Sequence, residues 1–416
     1  MYKSFDLLKK LYFVRTGGSQ EELQAANILL DEVRKLGVED ARLEEFEVDG
    51  ATIKEAKLSF AGYDKEIECV GVGYSGSTSK EGVSGQLCYI DSVASAKIND
   101  VKGKICLVHS KLVNYKVYEI LAKKQASGLI LLTGSVYDSN KDVDLDPYLY
   151  RQRHYKHGKI PAVCIRSRDG ERLLRSNVKM AHLTLLEDEY QNKSHNVVAE
   201  IKGEIEDEVI CFSAHYDSVS YSKGAYDNAT GSTCIMQILA HFAVNKPKRT
   251  LRFIWCGSEE MGLLGSKAYV EKHQDELENV VLNINVDMIG VTIGNDIACA
   301  TADHSVVSYI NYYGLIKGFA IAAKQGVYSS DSTPFADKGV PAISFARIAP
   351  PTGAQIHSHK DVMDYLSKDN YYRTCNFIID FVSGLVNAVA FPIEKNIPDN
   401  MKEEIDYYYG RKERKM

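Results

Sequence analysis

Two adjacent glutamates, Glu259 and Glu260, follow the apolar run 251–256 (Leu-Arg-Phe-Ile-Trp-Cys) and a Gly257-Ser258 turn. Neighbouring side chains at a strand end diverge, so one carboxylate can hold a cation while the other faces a reacting water. A helix N-terminus enriched in acids would look the same. His215 and Asp217 follow the apolar run 209–212. A metal-binding histidine donates its second ring N–H to a carboxylate, a partner that Asp217 could supply; a solvated loop reads identically. Asp227 precedes a helical run ending near Phe242, where an Asp is ordinarily a cap and a functional one would bridge two ions. Asp287 closes the apolar run 282–286, and a charge there is uncommon without a partner. His357 and His359 share a polar loop, and either is a candidate ligand.

These placements fall in one domain, at the carboxyl ends of strand-like runs, where open α/β sheets bind ligands. Carboxylates gathered that closely repel one another unless a cation holds them, and a pair of divalent ions is the simplest cation. Imidazole and carboxylate without thiolate suit zinc, with cobalt or manganese as substitutes. His154, His241, His273 and His304 show no such placement and read as surface or partly packed residues.

The elements that must position these groups are strand candidates at 196–201, 209–212, 251–256, 282–286 and 342–345. Helical runs separate several of them, which predicts an α/β fold: a mixed, mostly parallel sheet flanked by helices. Near the start, Ser19-Gln-Glu-Glu22 fits a capping box. Ala26, Leu29, Leu30, Val33 and Leu36 mark a helical face that Gly37 ends, and 43–48 reads as a strand. From about Leu58 the texture changes to short apolar runs at 86–90, 103–108 and 128–132, with one helical stretch at 117–126 and a polar loop at 136–158. The expected organisation is a discontinuous catalytic domain (residues 1–57 and 190–395), an inserted smaller β-rich α+β domain (58–189) and a charged C-terminal tail (396–416), either exposed helix or frayed end.

The length of 416 residues suits two domains. A net charge of −6 argues against a nucleic-acid partner and against an anionic membrane, and no apolar run approaches the roughly 20 residues that span a bilayer. The first residues lack the apolar core and cleavage site of a secretory signal. Most of the nine cysteines lie in apolar runs and none forms a CxxC pair, so they read as reduced core residues in a cytoplasmic protein.

Five motifs occur in order: His215-Tyr-Asp217, Gly224-Ala-Tyr-Asp227-Asn-Ala-Thr-Gly231, Ser258-Glu-Glu-Met-Gly-Leu-Leu-Gly-Ser266, Asn285-Val-Asp-Met-Ile-Gly290 and His357-Ser-His-Lys-Asp361. The set resembles metallopeptidase family twenty-eight, the aminopeptidase Y and bacterial leucyl aminopeptidase group. The inserted segment is similar, at 101–108 and 126–131, to a protease-associated domain. The resemblance implies an aminopeptidase that holds two zinc ions and acts on peptides with a free N-terminus. Asp227 would bridge the ions, His215 and Asp287 would complete one site, and Glu260 and His357 the other. His357 is preferred to His359 because its spacing to Asp361 fits the family pattern. Glu259 would be the general base and Asp217 would orient His215. A cis peptide after the bridging Asp is also implied, here Asp227–Asn228. Tyr328 is the candidate oxyanion donor, although its offset from Asp331 departs from the family's form. Arg347 could bind a substrate carboxylate or pair with nearby acids, and the pairing is preferred. The other readings are a carboxypeptidase-like enzyme, for which Arg347 would be the basic group, a glutaminyl cyclase-like enzyme with one zinc, and a non-catalytic binding protein, a class that typically loses ligands retained here.

Overall fold

The structure, a computed structural model, describes residues 2–413. The chain divides into two compact units at Val48/Asp49 and at Asn192/Lys193.

The unit that carries the candidate ligands is built on a sheet. Its strands are β1 (Met180–Ile201, through its last residues), β2 (Ile205–His215), β3 (Arg249–Cys256), β4 (Val280–Val286), β5 (Asn295–Thr301), β6 (Ile321–Gln325) and β7 (Ala342–Ile348). Their spatial order is β6-β5-β7-β4-β2-β3-β1. The central strands β7, β4, β2 and β3 run parallel to their neighbours within that set. Antiparallel pairing appears outside it, between β5 and β7 and between β1 and β3. Central strands covered on both faces need continuous apolar sequence, and β4 and the C-terminal half of β2 are buried almost throughout.

Helices α1 (Gln20–Lys35), α2 (Thr230–Val244), α3 (Leu264–Lys272), α4 (His304–Lys317) and α5 (Lys368–Val386) belong to the same unit. Ser19 caps α1 by accepting from Glu22 N, and Ala25, Ala26, Leu29, Leu30 and Val33 turn into the core. Nearly every residue of α2 is buried. Phe212 of β2 and Phe253 of β3 stack with ring centroids 4.8 Å apart. Burial of each ring contributes about 1.5–3 kcal/mol and holds in register the two strands whose ends carry His215 and the glutamate pair. The C-terminal segment forms a helix, Asp399–Tyr409, that buries Met401 and Ile405.

In the other unit, strands Val83–Ile90, Ile105–Val108, Gly128–Thr133 and Ala162–Arg166 pair in parallel, each with the next. The expected helix at 117–126 is Tyr115–Lys123, ended by Gln125 at φ +60°. Helices Val93–Ile98 and Ser167–Arg175 add to it. Among the described residues no helix is long and apolar enough to cross a membrane.

Candidate metal centre

Four neighbouring parallel strands deliver the ligand-type residues at their carboxyl ends. His215 is the last residue of β2, Asp287 follows β4, Glu259 and Glu260 follow β3, and His357 lies in the loop after β7. Asp227 sits in the tight turn that enters α2. His215, Asp217, Asp227 and Asp287 are buried, whereas the His357 side chain is half exposed.

Backbone contacts hold each loop. Asp217 accepts from Glu259 N at 3.0 Å and Glu260 N at 3.2 Å, and its Oδ1 lies 3.3 Å from His215 Nδ1. Asp361 does the same for the Asp227 turn, accepting from Tyr226 N at 2.7 Å and Asp227 N at 3.1 Å. The Asp227–Asn228 peptide is cis. Asn228 ties that turn to the end of β4, donating to Val286 O at 3.0 Å and accepting from Met288 N at 3.0 Å and Gly231 N at 2.8 Å. A Cβ at Gly231 would stand 2.2 Å from Val286 O, so only glycine permits this approach. Ser258, Met288 and His357 all adopt left-handed φ, between +51° and +59°. Such strain, of order 1–3 kcal/mol per residue, collects at functional sites.

The side chains form two trios that share Asp227. Asp227 Oδ1 lies 3.1 Å from His215 Nε2, and Asp287 Oδ1 lies 3.6 Å from the same nitrogen. Asp227 Oδ2 lies 3.1 Å from His357 Nε2, and Glu260 Oε2 lies 3.1 Å from that nitrogen. His215, Glu259 and Glu260 make a third compact group, with Glu259 Oε2 3.9 Å from His215 Nε2. The adjacent glutamates therefore diverge, Glu259 toward His215 and Glu260 toward His357.

These residues fit a divalent metal. Ligand atoms held at about 2.0–2.1 Å from a tetrahedral ion stand about 3.3 Å apart, and the contacts within the two trios are 3.1–3.6 Å. A ring nitrogen carries at most one proton, yet three carboxylates crowd His215 Nε2. Asp287 Oδ1 is buried without a hydrogen-bond partner. Burial and mutual repulsion push the carboxyls of Glu259, Glu260 and Asp287 upward. The surrounding acids overcome the burial of His357 and His215, lifting His357 to about 11 and His215 upward as well. A cluster that raises the proton affinity of its imidazoles is short of positive charge.

His359 joins none of the three groups. Tyr328 is half-buried, and its phenol is pushed up by burial and by the carboxylates of Asp287 and Asp227. Arg347 binds Asp296 at 2.6 Å and Val291 O at 2.8 Å, which is the structural pairing. His154 and His273 are buried rather than at the surface.

Sequence reasoning missed four contributors. Arg15 is fully buried and donates to the carbonyls of Leu11, Phe13, Tyr216, Lys223 and Gly224. Burial draws it down to about 10 against the pull of Asp217, Asp361, Asp227 and Glu260. In the sequence Asp361 is only a spacing mark and Glu22 only a cap, and Asp331, fully buried, is pushed up to about 7 chiefly by burial. The one local signal was a charged Arg15 following Phe13-Val14, with Gly17-Gly18 after it.

Residues 196–382 match peptidase family M28. The chain is 28% identical to aminopeptidase YwaD of Bacillus subtilis (strain 168), covering 96% of this chain and 87% of that one. It is 24% identical to carboxypeptidase Q of Bos taurus, over 87% of this chain and 80% of that protein. Among solved structures it superposes on BSAP, a zinc aminopeptidase from Bacillus subtilis, with a TM-score of 0.76 and 25% identity, covering 95% of this chain and 98% of that one.

Proposed function

We propose, from the premise that this chain belongs to peptidase family M28, that it is an aminopeptidase that holds two zinc ions and removes N-terminal residues from peptides. The observation that carries the count of two is the division of Asp227: one oxygen faces His215 and the other faces His357. His215, Asp227 and Asp287 would hold one ion, and Asp227, Glu260 and His357 the other.

Zinc bound there supplies a Lewis acid for the scissile carbonyl and lowers the pKa of a water. Glu259 takes the proton of the attacking water and returns it to the leaving amine. Asp217 fixes the His215 tautomer and, through its two backbone contacts, the aim of Glu259. Tyr328, its phenol held protonated, is the candidate donor to the developing oxyanion. Arg347, the basic group a carboxypeptidase reading needs, is bound to Asp296 and two main-chain carbonyls. The unit Asp49–Asn192 is read as a protease-associated domain; the adjacent parallel strands Ile105–Val108 and Gly128–Thr133 support that reading.

The test is a panel of aminoacyl reporters with free or acetylated amino groups, assayed before and after chelation and after zinc is restored. Hydrolysis should require the free amine, vanish on chelation and return with zinc. Equal cleavage of acetylated reporters, or activity indifferent to chelation, sinks the proposal.

A further inference from the structure

The turn that presents Glu259 and Glu260 is gripped by buried carboxylates on three successive backbone N–H groups. Asp217 takes the N–H of Glu259 and of Glu260. The third, Ser258 N, donates at 2.7 Å to Glu22 Oε1, which also accepts from Ser258 Oγ at 3.0 Å. Glu22 Oε2 accepts from Gly18 N at 2.7 Å. In a simple capping box this carboxylate would turn back to the N–H of Ser19, but Ser19 N donates to Thr16 O instead. Glu22, 1% exposed, is aimed across the fold at a residue 236 positions away.

The surroundings leave no slack. A Cβ on Gly17 would stand 2.6 Å from Ser258 Oγ, and one on Gly257 would stand 2.5 Å from Ser194 Oγ and 3.0 Å from Glu22 Oε1. Ser258 itself sits at φ +51°. A serine persists in that conformation only where its neighbours over-determine it, and Glu22 supplies two of the bonds that do so. Arg15, on the same segment, binds the carbonyls of Tyr216 and Gly224 beside Asp217 and Asp227. Residues 15–22 thus reach the loops that carry the base and two of the ligands.

We propose that Glu22 is a positioning residue for catalysis: through Ser258 it sets the aim of Glu259. This rests on the aminopeptidase reading. A misplacement of about 1 Å at a reacting group costs on the order of 100-fold in rate, so the grip on Ser258 acts on kcat rather than on binding.

The experiment compares the zinc-loaded full chain with Glu22→Ala, Glu22→Gln and Ser258→Ala. Glu22→Ala should lower kcat per zinc-loaded chain by roughly 10- to 100-fold, with KM and zinc content unchanged. Glu22→Gln, which keeps an acceptor for Ser258, should recover part of the loss. Amide exchange at Ser258, Glu259 and Glu260 should accelerate in Glu22→Ala while the core strands exchange as before. Unchanged kcat in Glu22→Ala, or a loss wholly explained by lost zinc, overturns the proposal. If Glu22→Ala does not fold, Ser258→Ala decides: it removes one of the two bonds, and a kcat equal to wild type with unaltered exchange overturns the proposal too. An inactive wild type would sink the aminopeptidase reading, and the exchange measurement alone would then decide whether Glu22 holds the turn.

Discussion

Arg347 and Asp296 form a buried ion pair, Nη1 to Oδ2 at 2.6 Å, on the antiparallel strands β7 and β5. Thr374 Oγ1 and Arg373 also bind Asp296, at 2.8 Å and 3.1 Å. The pair ties β5, β7 and α5 together below the loop that carries His357, and it removes from the substrate a cation that the sequence left available.

Removing one partner of a buried pair costs about 3–5 kcal/mol, because a buried charge is left behind. Arg373 and Thr374 remain on Asp296, so Arg347→Ala should fall at the lower end of that range in urea unfolding. The ratio of kcat/KM for aminoacyl amides to that for free-carboxylate dipeptides should not move. A selective loss on free-carboxylate substrates would place Arg347 in the binding site and revive the carboxypeptidase reading.

Glu259 sits 3.9 Å from His215 Nε2, at the edge of the first trio rather than inside it. Glu259→Gln keeps the shape and removes the base. We expect kcat to fall by roughly 100- to 10,000-fold, the span of general acid–base assistance, with the zinc content of the purified protein unchanged. Lost zinc would make Glu259 a ligand instead, as its grouping with His215 and Glu260 also allows.

Asp227 predicts the opposite pattern. Its two oxygens serve different histidines, so Asp227→Asn should weaken both metals together. The loss should exceed the roughly 10- to 100-fold that removal of a mere outer partner brings. Zinc per chain after dialysis against a competing chelator checks this, and a variant that keeps one ion at wild-type affinity would show that Asp227 does not bridge.

His215, Glu260 and Asp287 were legible as candidate ligands because each stands just past an apolar run, whereas Asp227 and His357 lie in loops that only the ordered motifs single out. Central strands also announce themselves, since burial on both faces favours mostly apolar sequence, interrupted in β3 and β4 only by Arg249, Thr250, Arg252, Asn283 and Asn285. The strands β5 and β6 were not foreseen. β6 alternates half-buried and exposed residues over five positions, too short and too mixed for a pattern to emerge. The supports of the site were hidden for another reason. Arg15 binds Tyr216 across 201 positions, Glu22 binds Ser258 across 236 and Asp361 binds Tyr226 across 135. Nothing local distinguishes a glutamate that caps a helix from one that holds a distant turn. The left-handed φ of Ser258, Met288 and His357 is equally silent, because tertiary contacts impose it on residues without that preference.

The Glu44–His273 contact lies apart from the groups that could hold a metal. His273 binds Glu44 through Nε2 at 2.9 Å and Glu276 through Nδ1 at 2.8 Å, and Lys272 and Arg42 also face Glu44. The bond to Glu44 raises the imidazole above its ordinary value, against burial and with help from Glu276. Burial pushes Glu44 up, but the bond and charge of His273, then Arg42 and Lys272, hold it at about 2. The signs follow by linkage. The raised histidine stabilises fully below its unfolded value of about 6.5, and that contribution is lost as pH rises through the folded pKa. The depressed glutamate stabilises above its unfolded value of about 4.3 and loses its contribution as pH falls toward 2. The pair therefore contributes most between about pH 4.3 and 6.5. Urea midpoints of wild type and Glu44→Gln at equal zinc loading should differ most near pH 5–6, converge as pH falls toward 2, and narrow above that window to the part that Arg42 and Lys272 supply. A difference that is flat from acid to alkaline pH would mean that the Glu44–His273 contact is packing rather than an ion pair.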